Sequence, residues 1–191
     1  MLYERPTINL PATSVLAADL DMFKVHLKGV DDSEEELAKM YLMAAGKSLE
    51  AQYGVVLTSR SGSALFRGVP CIGEGLTLPL APVSAVSAVR WSTTDAPDSW
   101  TVVDTAKYAV VIDRHCAKVE ALKSWEITGT LYRVKVEFTA GYGATYASVP
   151  EDIRVAMQLL ATDLYNNRAD SVKQLPTAVE VFMKPYIYHA A

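Results

Sequence analysis

The sequence predicts an α+β fold: a helical bundle with an inserted small antiparallel β-sheet region. Three observations point there. Apolar residues recur at three- and four-residue spacing in two long stretches, 33–53 and 150–168. Between them, from Val55 to Thr139, the texture changes to β-branched and aromatic runs broken by turn residues. In the last of these runs Arg133, Lys135 and Glu137 alternate with Val134, Val136 and Phe138, the two-residue period of a strand covered on one face. The 191 residues suit a single domain, 1–191, with a helical part at 19–54 and 149–191 and a β insert at 55–148.

In chain order, Asp19 is placed to cap a short helix whose Leu20, Phe23 and Leu27 share a face, with Gly29 as its stop. An acidic loop follows. Ser33 and Glu36 have the spacing of a capping box, and Glu34 and Glu35 suit a positive first turn. Leu37, Met40, Tyr41, Ala45 and Leu49 form an apolar stripe that ends at Gly54. Expected strands are Gly75–Leu80, Val83–Ser92, Trp100–Val103, Tyr108–Asp113, Lys118–Ala121 and Leu131–Thr139, with Thr93–Ser99 as a turn. After Gly141-Tyr142-Gly143, Pro150 begins a helix carrying Ile153, Met157, Leu160 and Leu164 through to Arg168. The stripes of the two long helices demand partners, so these helices should pack on each other. Asp170 to Leu175 is a linker, and Pro176 opens a last short helix with Val179, Phe182 and Met183.

Half of the residues are hydrophobic and 21% are charged, enough to bury a core without disulfides or metals. With 18 Lys and Arg against 22 Asp and Glu, the net charge of −4 disfavours a protein that grips DNA phosphates. Glu4, Pro6, Asn9 and Pro11 make the N-terminus a poor signal peptide, and no run approaches the ~18 apolar residues of a membrane span, so a soluble protein made in the cytoplasm is expected. Cys71 and Cys116 lie far apart, without CxxC spacing.

No motif supports catalysis, a cofactor or a metal. Gly46-Lys47-Ser48 copies the end of a phosphate-binding loop, but Tyr41 replaces its partner glycine and the tripeptide lies inside a helix, where the backbone amides are already used. Gly141-Tyr142-Gly143 lacks GxGxxG spacing and reads as a turn that aims Tyr142, and Gly73-Glu74-Gly75 reads as a turn into a strand. His26, His115 and His189 lack a second ligand at metal spacing. Neighbouring His115 and Cys116 would point to opposite faces of a strand. The acidic run Asp31, Asp32, Glu34, Glu35 and Glu36 lacks the glycine and terminal Glu of a calcium loop.

Four stretches resemble the phage head-tail connector (adaptor, or head-completion) proteins of long-tailed double-stranded DNA phages and gene transfer agents. Phe23 to Lys28, the acidic loop and the helix ending Leu49-Glu50-Ala51-Gln52-Tyr53-Gly54 are similar to the family's opening helix pair. Leu78-Pro79-Leu80-Ala81-Pro82-Val83-Ser84-Ala85-Val86 resembles its proline-flanked strand entry. Val134 to Phe138, Ala140-Gly141-Tyr142-Gly143, Val149-Pro150, Ile153-Arg154 and Tyr165 to Arg168 resemble its strand, turn and long helix. Leu175-Pro176 through Pro185-Tyr186 resembles its closing segment. Residues 60–73 have no counterpart.

The resemblance implies a structural subunit without catalytic residues, forming a ring of twelve copies beneath the portal in the neck of the virion. It implies the portal protein and a stopper or tail-terminator protein as partners, with double-stranded DNA passing through the ring without sequence-specific binding. A stopper or tail-completion protein of the same neck is the alternative, and a small soluble enzyme is the alternative of another class. Phe182, Met183, Pro185, Tyr186, Ile187 and Tyr188 crowd an apolar, aromatic segment at the C-terminus and are the candidate interface with the portal or a neighbouring subunit.

Overall fold

The computed structural model describes residues 7–10, 20–27, 32–113, 116–167 and 177–186. It is an α+β protein whose chain falls into two compact units. One comprises 1–11, 60–141 and 188–191, the other 12–59 and 142–187. The first is the β unit and the second the helical unit.

The helical unit contains α1 (Leu20–Leu27), α2 (Glu35–Tyr53), α3 (Glu151–Asn166) and α4 (Thr177–Met183). Helices α2 and α3 pack together, as their stripes demand, and α4 packs on α3. The shared core takes Phe23 from α1, Leu42, Ala45 and Leu49 from α2, Ile153, Met157 and Leu160 from α3, and Val179 and Met183 from α4.

Two details of α2 differ from the expectation. The capping box does not form: Asp32–Glu34 makes a 3-10 turn, Glu34 occupies the N-cap position, and no side chain caps the helix. The buried stripe is Ala38, Leu42, Ala45 and Leu49, whereas Met40 is 57% exposed. At about 100° per residue Met40 lies nearly opposite that stripe, and small Ala38 and Gly46 are among the residues α2 buries. Gly54 ends the helix as expected, in the left-handed conformation with its N–H donating to the Glu50 carbonyl.

The β unit holds two antiparallel sheets rather than one. The five-stranded sheet has the order β1 (Thr7–Asn9), β2 (Arg60–Phe66), β8 (Leu131–Ala140), β4 (Val83–Thr93), β5 (Ala96–Val102). The three-stranded sheet runs β3 (Gly75–Leu78), β7 (Ala117–Ala121), β6 (Tyr108–Ile112). Strands β1 and β2 went unrecognised because Thr-Ile-Asn is too short to show a period, and Arg-Ser-Gly-Ser-Ala-Leu-Phe turns apolar only in its second half. The segment expected as a turn, Thr93–Ser99, is a turn only at Thr94 and Asp95; from Ala96 it is edge strand, where Pro97 has no outward ladder bond to lose.

The alternation in β8 holds. Val136 pairs with Ala64 of β2 and Val89 of β4, a row of three side chains with no exposed surface. Gly62 of β2 sits where an added methyl group would lie 2.8 Å from the Asn9 carbonyl and 2.6 Å from Leu10, so its lack of a side chain is what lets β1 close on this edge.

Candidate functional site

A reactive centre would need converging polar groups, and the sequence motifs are instead spread out and locally engaged. Gly46 is buried in the middle of α2, with Lys47 and Ser48 exposed beside it. Glu34 accepts a hydrogen bond from Tyr165, Glu35 pairs with Lys24, and Glu36 lies 3.7 Å from Lys39, so the three glutamates of the acidic run have three separate partners. Gly141 takes a left-handed conformation, φ 123°, and the turn lays Tyr142 against the helical core. His26 is exposed on α1, and His115 and His189 lie outside the described residues.

The solvent face of the five-stranded sheet carries a cluster of charged side chains. Lys135 of β8 stands directly opposite Arg90 of β4, a like-charge pair that would repel. Glu137 lies 3.2 Å from both and bridges them, while the Lys135 ammonium sits 4.5 Å above the Trp100 ring. Partial burial pushes the Glu137 carboxyl up, but the Lys135 hydrogen bond and the Arg90 charge outweigh it and leave its pKa below the ordinary value. Beside this cluster lies an open depression of about 370 Å³, lined by Asn9, Ser61, Gly62, Ser63, Ser87, Glu137 and Phe138. Its hydroxyls serve the strands: Ser87 donates to the Glu137 carbonyl at 3.1 Å, and Ser61 and Thr139 share a hydrogen bond of 3.3 Å. This is a surface for polar contact.

The described part of the C-terminal segment, 177–186, belongs to the helical unit. Met183 and Val179 are fully buried there, so Met183 anchors α4 to its own subunit. Phe182 and Tyr186 are half-buried against the same core, the Tyr186 hydroxyl lies 3.4 Å from Asp152 of α3, and Pro185 is exposed. Ile187 and Tyr188 lie outside the described residues. On the outer side of α4, Val181 is 65% exposed. Burial raises the pKa of Tyr53, and the Glu180 charge adds to it, so α4 presents an acidic group toward the end of α2.

Other apolar side chains on the surface escaped the sequence reading. Met22 and Val25 are 61% and 76% exposed on one side of α1. In the β unit Ile72, Val111, Ile112 and Leu122 are exposed. For Val111 and Ile112 a signal existed: Tyr-Ala-Val-Val-Ile lacks the polar alternation that a half-covered edge strand normally carries.

Solved structures resemble the chain along nearly its whole length. A chain from the neck of an empty gene transfer agent particle, computed with C6 symmetry, superposes with a TM-score of 0.78 at 28% identity, covering 97% of this chain and 97% of that one. A chain from the virion of a native gene transfer agent particle gives 0.76 at 27% identity, again covering 97% of each. A chain from the neck of the native particle, computed with C12 symmetry, gives 0.72 at 26%, covering 100% of this chain and 97% of that one. No protein-family model and no curated protein sequence matches it. In both of its units, then, the chain is similar to the chains of gene transfer agent particles, two of them from the neck.

Proposed function

We propose that this protein is a structural subunit of the neck of a gene transfer agent or related tailed-phage particle, and within the neck the adaptor that forms a ring beneath the portal. The observation that carries the reading is the likeness to a neck chain over 97% of both chains, at a TM-score of 0.78. The C6 and C12 symmetries of the similar structures support a ring of repeated subunits. A net charge of −4 suits a channel through which DNA passes without being held. The role is structural rather than catalytic.

On this reading Phe182, Pro185, Tyr186, Ile187 and Tyr188 form the contact with the portal or the adjacent subunit, seated on α4 through Met183. Aromatic side chains with a covered base and an open edge make strong anchors at protein interfaces.

Mixing the purified protein with portal-bearing heads that lack all other neck proteins tests the reading. An adaptor binds them directly, in a copy number set by the portal ring. A protein that binds only after another neck component has been added is a stopper or tail-completion protein instead. Failure to join heads or tails in either order overturns the neck assignment.

A further inference from the structure

The helices of the helical unit are held to very different degrees. Helix α2 buries five of its 19 residues, α3 five of its 16, and even short α4 two of its 7. Helix α1 buries one of its 8, Phe23. Leu20 and Leu27 are half-covered against the same core, whereas Met22 and Val25 are 61% and 76% exposed. A helix of about two turns thus sits on α2 and α3 through a single fully buried side chain.

The Lys24–Glu35 ion pair joins α1 to α2, but the Glu35 side chain is 42% exposed, and ion pairs in such a setting hold weakly. Asp21 in the first turn and Lys24 and His26 in the last suit the helix dipole. They favour the helical form of α1 without fastening it to its neighbours. Isolated helices shorter than about 12–15 residues are marginal in water, so an undocked α1 would not keep its helix. Undocking and unwinding are therefore one event. The rest of the unit does not lean on α1: α2 and α3 pack directly on each other, α4 packs on α3, and the Tyr165 hydroxyl of α3 donates to Glu34 at the start of α2.

We propose that α1 is a strap: it lifts off α2 and α3 and unwinds as a unit, baring the seat of Phe23, while α2, α3 and α4 stay folded. Segments with few buried contacts are where such local opening occurs. A strap has a thermodynamic signature. A substitution that weakens only the docking of α1 lowers the stability of the whole by no more than the free energy that closes the strap, because an open α1 has nothing further to lose.

Hydrogen exchange of the full chain across a urea series tests this. The hydrogen-bonded amides of α1 should exchange roughly 100-fold faster than the slowest amides of α2 and α3, at a rate nearly independent of urea, since opening a strap exposes little surface. Amides of α1 that exchange as slowly as those of α3, with the same dependence on urea, would overturn the proposal. Phe23→Ala should speed exchange in α1 by a further factor of about ten and leave α3 protected. Met157→Ala, at an equally buried position in α3, should instead lower the urea midpoint of unfolding. A Phe23→Ala chain that unfolds, or whose midpoint falls as far as that of Met157→Ala, would place α1 in the common core and sink the strap.

A cross-link separates undocking from simple fraying of the helix ends. With Cys71 and Cys116 replaced by serine, K24C and E35C can be bridged by a short bismaleimide, because the two side chains meet in the closed form. Bridging should slow exchange in α1 to the level of α2. Exchange that stays fast in the bridged chain would mean that α1 unwinds without leaving its seat, and the strap would again be lost.

Discussion

Met183 and Val181 stand two residues apart on one short helix, and their environments set opposite costs for truncation. Met183 has no exposed surface and fills space between α4 and the helical core, so Met183→Ala should destabilise the protein by about 2–5 kcal/mol. Val181 is 65% exposed, and Val181→Ala should stay within about 0.5 kcal/mol of wild type. Urea unfolding midpoints of the two variants provide the measurement. Equal losses would mean that α4 does not dock as described.

Glu137 offers a test in pH. Its folded-state pKa lies below the ordinary carboxylate value, so the stabilisation it supplies is present above the ordinary range and disappears as pH falls through the folded value. Glu137→Gln should therefore be less stable than wild type at neutral pH, by about 0.2–1 kcal/mol for a side chain that is 30% exposed. The gap should close as the solution is acidified below the carboxylate range. Raised salt should shrink it too, because the Lys135–Arg90 repulsion that Glu137 offsets is itself screened.

At the scale of elements, α2 separates the spacing of a motif from its formation. Ser33 and Glu36 have capping-box spacing, yet a 3-10 turn carries the chain in and Glu34 takes the N-cap position. Ser33→Ala should consequently be nearly neutral, within about 0.5 kcal/mol, rather than costing the ~1 kcal/mol of a lost cap. Thermal unfolding decides between the two. What holds this end of α2 comes from outside the helix, in the Lys24–Glu35 ion pair and the Tyr165–Glu34 hydrogen bond. The stripe shows the same effect: Leu37, Met40 and Tyr41 are apolar too, but packing covers the face that carries Ala38, Leu42, Ala45 and Leu49.

For the whole molecule, the C-terminal residues separate folding from assembly. Val179 and Met183 remain when Pro185 to Ala191 are removed, so the truncated chain should fold and stay soluble. It loses the Tyr186 contact with Asp152 and the proposed joining surface. Particle preparations made with it should contain filled heads and free tails at the expense of joined particles, as counted by electron microscopy. An unfolded truncated chain would assign these residues to the core, and a normal yield of joined particles would make them dispensable to assembly.

By itself the sequence determined the elements whose signal is local and periodic. Helix α3, the length of α2, the Gly54 stop and the alternation of β8 all follow from residue spacing within one element, and the order of short motifs along the chain pointed to the neck of a particle. Only the tertiary structure decided how strands far apart in sequence are joined. β1 pairs with β2 across more than fifty residues, β8 enters between β2 and β4, and the β region divides into two sheets. It also decided which apolar residues are covered, burying Met183 and leaving Met40, Ile72 and Ile112 at the surface. The physical reason is that a uniformly apolar run has no polar face to set its orientation, and a strand of three residues has no period. In both cases burial is assigned by whatever the rest of the chain brings alongside.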